Sequence, residues 1–432
     1  MLRVFNSLEK KGKSVKVAMI APPWLRVPAD GYGGVEAVID DLCRGLRELG
    51  VRVELFAVGG SRAMADKYHW HHEDEQFKHF MQPMYDAAAI PAAHLLDSID
   101  KIRLEGDFDI IHDHNNLFGP ALLRDRADLP PVLHTLHWTL RLDALREGNV
   151  GTAQYYDLLA RGRRLFFNGI SRSQVAAATL RLRSRVIGVV HHGIDVGKRT
   201  LTVRKENYFV TVGRLSPVKG IALAAAICRE MGADFKIAGQ VGGISEVGQL
   251  EQALKDDPRG TSHPDLAYYV EQVAPRLVPG HIEYVGGVSG QAWGELVGRA
   301  KAFLMPIQWD EPFGVAVIEA LACGTPVVAM RRGSMAEIIE HGVNGFLADS
   351  PEEFMEYMGR VEEIDPMECR RSAEERFTYQ QMSRQYVKLY RAVLGRIPVP
   401  VSLPTPISKA LGGKVPRLGT RYGATARRAE TS

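Results

Sequence analysis

Short apolar runs alternate with helix-like segments along most of the chain. In the first half, six runs rich in Val, Ile, Leu and Phe are predicted to be strands: Val15–Pro23, Val51–Gly60, Phe108–Asn116, Pro131–Trp138, Arg164–Ser171 and Arg185–Asp195. A glycine loop at Gly31–Glu36 leads into a predicted helix that ends near Leu49, while residues 61–105 look helical and irregular. Strands that alternate with helices indicate a parallel, doubly wound sheet.

The same alternation restarts after a polar, charged stretch at residues 197–206. Five more strands are predicted, at Asn207–Leu215, Asp234–Gly243, His281–Val288, Ala300–Ile307 and Thr325–Gly333. We therefore predict an α/β protein of two Rossmann-like, doubly wound parallel-sheet domains that face a central cleft. Ligands of such sheets bind at the carboxyl ends of the strands.

These patterns also set expected domain boundaries. Residues 1–14 are a ragged N-terminus, 15–198 form the first domain and 199–371 the second. A last helix over 372–394 is expected to return to the first domain, and the Pro-, Gly- and Ser-rich tail 395–432 is expected to be disordered.

Composition is that of an ordinary globular protein, with 45% apolar and 24% charged residues. No apolar run approaches the ~18 residues of a membrane span. The four cysteines are far apart and form no CxxC pair, which predicts unpaired thiols in a reducing cytosol.

The net charge of +3 comes from the tail. Residues 396–432 hold seven Lys or Arg and one Glu, so the preceding 395 residues carry −3. This balance argues against a nucleic-acid partner. We expect a cytoplasmic protein with a solvated tail; weak contact of that tail with an anionic membrane face is the alternative.

One charged residue interrupts an apolar helix predicted between Gly314 and Gly324. Glu319 has apolar neighbours on every side, and a buried carboxylate costs several kcal/mol unless it is hydrogen-bonded. It therefore has a protein partner or awaits a ligand. If the charge is uncompensated, replacing it with Ala leaves the fold intact or more stable.

Strand ends in the second half carry groups that suit one kind of ligand. Arg214 and Lys219, in VGRLSPVKG, offer a guanidinium fork and an ammonium to phosphate oxygens. Asp310 and Glu311 precede a predicted helix N-terminus, where amides hold anionic or hydroxylic groups. Glycines in AGQVGG and YVGGV leave further amides open. Each feature is common alone, but together they fit a diphosphate and hydroxyls, that is, a nucleotide sugar.

The order of these motifs resembles a known family. Glu311 and Glu319, with seven residues between them in DEPFGVAVIEALACGTPVVA, resemble the EX7E motif of retaining glycosyltransferases with the GT-B fold, and of glycosyltransferase family 4 in particular. VGRLSPVKG, NGISRSQ, HHGID and EIIEHGVNGFL extend the match over residues 15–394. The stretch from Ala21 to Gly50 resembles the subgroup of avilamycin-type glycosyltransferases.

The resemblance implies roles for individual residues. Glu319 would bind the ribose, Glu311 the transferred sugar, and Arg214 and Lys219 the diphosphate, with His114 beside the reacting sugar. The implied catalytic residues are thus His114, Arg214, Lys219 and Glu311, and His137 is an acceptor-side candidate. The implied donor-binding set is Gly34, Gly213, Arg214, Lys219, Gly239, Gly286, Gly287, Val288, Glu311, Phe313, Gly314, Val315 and Glu319.

The implied reaction transfers a sugar with retained configuration from a nucleoside-diphosphate sugar to a hydroxyl acceptor. UDP is favoured and GDP is the alternative. No metal or other cofactor is expected, because the two cations supply the charge that stabilises the departing diphosphate.

Other classes of protein were weighed. A nucleotide-sugar epimerase of the same fold and a non-catalytic nucleotide-sugar-binding protein stay open. A glycosidase needs carboxylates ~5–9.5 Å apart, whereas eight helical residues span ~12 Å. A nicotinamide oxidoreductase needs GxGxxG, and Glu36 stands where its third glycine belongs. The His-rich Tyr68–Phe80 lacks HExxH and is interpreted as a polar acceptor-side loop.

Overall fold

The computed structural model describes residues 14–31, 33–79, 87–140 and 151–396. The tail beyond residue 396 and residues 1–13 of the N-terminal segment lie outside these ranges. Within them the chain forms two parallel sheets, which confirms the predicted α/β, two-domain, Rossmann-like fold class.

The first sheet has seven strands in the order β3-β2-β1-β4-β5-β6-β7. Their bounds are β1 Lys16–Ile20, β2 Arg52–Ala57, β3 Lys67–Trp70, β4 Ile110–Asp113, β5 Val132–Thr135, β6 Leu165–Gly169 and β7 Val186–Val189. The helices are α1 Gly34–Glu48, α2 Ala89–Glu105, α3 Phe118–Leu123, α4 Gly151–Leu159, α5 Arg172–Ala176 and α6 Leu180–Arg183. Both faces are covered by helices, so strands such as β1 are buried throughout.

The second sheet has six strands in the order β10-β9-β8-β11-β12-β13. They are β8 Tyr208–Val212, β9 Asp234–Ala238, β10 Ile282–Tyr284, β11 Ala302–Met305, β12 Val327–Met330 and β13 Gly345–Ala348. The helices are α7 Ile221–Met231, α8 Val247–Asp256, α9 Pro264–Tyr268, α10 Gly290–Arg299, α11 Val315–Ala322, α12 Met335–Ile338, α13 Pro351–Gly359, α14 Pro366–Arg376 and α15 Tyr379–Arg396.

Three elements differ from the sequence-based expectation. Strand β3 lies within residues 61–105, which were predicted to be helical and irregular, and β13 was not predicted. Both are edge strands of four residues, and β3 is largely exposed, so neither shows a long apolar run. The single helix expected over 372–394 is two helices, α14 and α15, which are separated at Phe377 and Thr378.

Helix α15 packs on the first sheet, although it follows the second in sequence. Met382, Tyr386, Tyr390 and Val393 are buried in the core formed by β1, β2 and α1. At the crossing, the amide of Ile194 donates to the carbonyl of Phe377 at 2.9 Å. The amide of Tyr379 donates back to Ile194 at 3.0 Å. The outgoing and returning segments of the chain therefore form a short bridge between the two domains.

The four cysteines are buried free thiols. No described helix is both long enough and apolar enough to cross a bilayer.

Candidate functional site

One cleft between the two sheets collects nearly all of the predicted site residues. Those that line it are Gly34, His114, His137, Gly213, Arg214, Lys219, Gly239, Gly287, Val288, Glu311, Phe313, Gly314, Val315 and Glu319. Gly286 does not line the cleft. Its carbonyl accepts the Gly239 amide at 2.8 Å, and its φ of 79° shapes the turn.

Glu319 has a protein partner. The Arg199 guanidinium donates to its Oε1, and the same guanidinium lies 4.8 Å from the centre of the Trp293 ring. Burial raises the pKa of Glu319, and the charge of Arg199 opposes that shift. The expectation that Glu319 carries an uncompensated charge is therefore wrong. The side chain keeps 15% of its surface exposed, on the cleft side.

Glu311 is paired with a second predicted residue. Its Oε2 lies 2.6 Å from the Lys219 ammonium and accepts the indole N–H of Trp309 at 2.9 Å. The two groups that the resemblance assigns to the sugar and the diphosphate thus form an ion pair with each other.

Buried contacts fix the backbone of the loop that carries Glu311. The Ser334 amide donates to the Glu311 carbonyl at 2.9 Å, and the Ser334 hydroxyl donates to the Phe313 carbonyl at 2.6 Å. Gly333 packs so tightly that a Cβ there would lie 2.3 Å from the Glu311 backbone. Gly314, with φ of 96°, then opens α11 toward the cleft. A side chain at Gly333 would clash with the Glu311 backbone, and a side chain at Gly314 would be strained by the positive φ. Glycine avoids both costs.

Arg214 lies beside a carboxylate that sequence reasoning missed. Its Nε is 3.5 Å from Oδ2 of Asp265, a residue of α9 with 5% of its surface exposed. Burial raises the pKa of Asp265, while Arg214 and His263 lower it. The segment 246–280 has no motif, so no pattern in it indicates this contact.

Loop packing between β8 and β9 also requires glycine. Gly239 has φ of 137°, and a Cβ there would lie 1.8 Å from the Gly213 carbonyl. The two strand-end loops therefore touch through their backbones, next to Arg214.

His114 forms the opposite wall, at the end of β4. Its Nδ1 is 2.8 Å from Nε2 of His137, and its Nε2 is 3.1 Å from Sδ of Met19. Burial lowers the pKa of both imidazoles well below the usual value. The two predicted histidines are thus hydrogen-bonded to each other and neutral.

These two rings belong to a longer row of imidazoles. At one end His112 contacts the Tyr390 hydroxyl of α15 at 2.8 Å. At the other, the His137 ring stacks on His192, whose centre lies 5.1 Å from that of Phe313. Burial lowers the pKa of His112 and His192 to about 3. The row connects the first-domain core to the loop that carries Glu311.

The carboxylate of Glu337, in the second domain, binds groups of the first domain; we call these contacts the Glu337 clasp. Glu337 of α12 accepts the amides of Arg172 and Ser173 at 2.9 and 2.7 Å, and its Oε2 lies 3.0 Å from Nε2 of His191. Burial alone would raise the pKa of Glu337, but these partners hold it below the usual value.

The His-rich segment lies mostly away from the cleft. Of its described residues, Phe77 lines the cleft. His69 instead groups with Glu54 and Glu105, with ligand-type atoms within 4.8 Å of one another. The Lys16 ammonium, 2.7 Å from Glu54, already supplies a positive charge there. That no metal is bound in this segment stays a prediction.

Two facing parallel-sheet domains, with cations and carboxylates at the strand ends of one, define the GT-B class of glycosyltransferases. Residues 32–198 match the family described as Glycosyltransferase Family 4, and residues 197–377 match the family described as Glycosyl transferases group 1. The chain belongs to glycosyltransferase family 4, which confirms the predicted family.

Curated relatives include D-inositol 3-phosphate glycosyltransferases. That of a Nocardioides species is 25% identical over 413 residues, with 84% of this chain and 86% of that protein covered. That of Kribbella flavida is 25% identical over 350 residues, with 73% and 78% covered.

Solved structures share the fold. AviGT4, a glycosyltransferase of avilamycin A biosynthesis, is 24% identical with a TM-score of 0.56, and 88% of this chain and 98% of that chain are covered. Anabaena HepE, solved with UDP and glucose, is 16% identical with a TM-score of 0.61, and 88% and 100% are covered.

Proposed function

We propose that this glycosyltransferase moves a sugar from UDP-sugar to a hydroxyl acceptor, with retained configuration and without a metal. One observation carries the proposal: Arg214, Lys219, Glu311 and Glu319, taken from separate motifs, line a single cleft. The likeness to HepE, a protein solved with UDP and with UDP-glucose, supports UDP as the nucleotide.

Ligand binding exchanges partners within the site. The diphosphate replaces Glu311 as the partner of the Lys219 ammonium. Glu311 then accepts a hydrogen bond from a hydroxyl of the sugar. Arg214 likewise turns from Asp265 toward the phosphate, and Glu319 accepts a ribose hydroxyl while it keeps Arg199. Charge that builds on the leaving UDP is stabilised by the two cations, so the site needs no metal for that step.

Donor binding and UDP release test the proposed reaction. Purified protein is offered UDP-, GDP- and ADP-sugars in a thermal-shift screen, and UDP release is then measured with and without acceptors. We expect the UDP-sugar to bind, acceptor-dependent release that persists in EDTA, and a product whose anomeric NMR signal matches the donor. No shift with any nucleotide sugar would refute the donor site. Conversion of the donor sugar without acceptor would indicate an epimerase.

A further inference from the structure

The two walls of the cleft differ in their balance of charge. From residue 199 onward the lining is nearly balanced, with five cations and six carboxyl groups: Arg199, Arg204, Arg214, Lys219 and Arg299, and Glu206, Glu246, Asp265, Glu295, Glu311 and Glu319. The described first-domain lining up to residue 198 contributes five carboxyl groups and two cations: Asp30, Glu36, Asp40, Asp41 and Asp195, and Arg62 and Lys198. Arg62 is already paired with Asp30. The charge of Lys198 acts on Asp40 and Asp41. The described first-domain lining therefore has three more carboxyl groups than cations, which disfavours an anionic ligand on that wall.

Glu36 is the most enclosed of these carboxyl groups, with 5% of its surface exposed. It stands in the first turn of α1, behind Gly33, where an added Cβ would lie 3.1 Å from its Oε2 and 3.3 Å from Leu25. No described cation forms an ion pair with it. Burial is the main cause that raises the pKa of Glu36 to about 7, and the negative charge of Glu75 adds to it. A further anion beside this carboxyl would be repelled.

The first-domain wall that holds Glu36 also carries apolar and aromatic side chains. Trp24, Leu25, Phe77, Phe118 and Trp138 all line the first-domain side of the cleft. The Gln76 amide donates to the Trp24 carbonyl at 3.0 Å, which ties the segment that carries Phe77 to the loop that carries Leu25. Aromatic side chains pack against the apolar faces of sugar rings and aryl groups, and a buried carboxyl binds hydroxyls.

We propose that this wall binds an acceptor that is uncharged around its reacting hydroxyl and has an apolar or aromatic face, with the Glu36 carboxyl hydrogen-bonded to one of its hydroxyls. The proposal rests on the proposed glycosyltransferase function. It sets the chain apart from relatives that are named for a phosphorylated acceptor, D-inositol 3-phosphate.

Matched probes test the charge and the carboxyl separately. Binding of 4-nitrophenyl β-D-glucoside and of D-inositol 3-phosphate to the UDP-loaded protein is measured by saturation-transfer NMR and calorimetry. We expect the glucoside to bind and the phosphate not to bind at the first-domain wall. Glu36→Ala should weaken glucoside binding by about tenfold, because a buried hydrogen bond is lost. Glu36→Gln, which keeps a hydrogen-bond acceptor, should stay within about threefold of the unmodified protein.

Glu48→Gln is the matched control, because it lies on the same helix but does not line the cleft. Failure of the glucoside to bind, tighter binding of inositol 3-phosphate, or unchanged glucoside binding by Glu36→Ala each overturns the acceptor proposal. Calorimetry with UDP alone separates this outcome from failure of the proposed function. UDP that binds normally leaves the donor site standing, whereas absent UDP binding refutes it.

Discussion

At the scale of single residues, the charged groups that we propose to bind the donor lie in opposite-sign contacts. Glu319 lies against Arg199, Glu311 against Lys219, and Arg214 beside Asp265. Such contacts restrict the rotamers of each side chain, which lowers the conformational entropy that binding would cost.

Glu319→Gln should separate ribose binding from folding. The variant leaves Arg199 without its counter-charge, but that guanidinium stays stacked on Trp293 and partly exposed. We therefore expect the free energy of unfolding to fall by about 1–2 kcal/mol and donor affinity to fall by tenfold or more, on the order of 1.4 kcal/mol. Calorimetry and chemical denaturation measure the two effects.

Glu356→Gln, which alters an exposed pair with Arg360, is the control for Glu319→Gln and should change neither quantity. Full donor affinity in Glu319→Gln would mean that the glutamate serves only to hold Arg199.

Lys219→Met should slow the chemical step more than it weakens donor binding. The ammonium faces charge that grows as the glycosidic bond breaks, so its loss should lower kcat by about 10²–10³. Steady-state kinetics of UDP release checks this, with the exposed Lys255→Met as control. An effect on KM alone would assign Lys219 to ground-state binding.

At the scale of elements, the row of imidazoles joins β4, β5 and β7. The native protein keeps the His192 ring neutral down to about pH 3, whereas in the unfolded chain the ring binds a proton below the ordinary histidine pKa of 6.5. The stability contributed by this ring's burial is therefore fully present above about pH 6.5 and is lost progressively as the pH falls toward 3.

His192→Phe should flatten that pH dependence. The free energy of unfolding of the unmodified protein should fall relative to the variant by up to ~1.4 kcal/mol per pH unit below pH ~6.5. Carboxyls with raised pKa, Glu36 and Asp41, act in the opposite direction but equally in both proteins. Denaturant titrations across this range measure the difference, and parallel curves would contradict the assignment.

At the scale of the whole molecule, sequence periodicity was enough for the sheets but not for the contacts between distant segments. Apolar runs predicted eleven of the thirteen strands, and the missed β3 and β13 are four-residue edge strands. Of the site residues that the motifs predicted, all but Gly286 line the cleft. They could not predict that Arg199 pairs with Glu319 or that Asp265 faces Arg214, because such pairs join segments 120 and 51 positions apart with no periodic signal.

The Glu337 clasp should hold the two domains in their relative position. Glu337→Gln keeps the shape but removes the charge that holds the Arg172 and Ser173 amides and His191. We expect a larger radius of gyration in solution scattering. We also expect kcat/KM to fall on the order of tenfold for both substrates, because the two walls of the cleft are no longer held in position. The exposed Glu340→Gln is the control. An unchanged radius and rate would show that other contacts set the geometry.

The bridge between Ile194 and Thr378 has a consequence for how the gene can be rearranged. Everything between those two positions is an insertion into one continuous fold, and its entry and exit lie side by side. A donor half from another family member could thus be spliced in at Ile194 and Thr378 without lengthening any connection. Chimeras cut at this pair should fold, whereas a cut at residues 371–372 would divide α14 and leave part of it on the wrong parent.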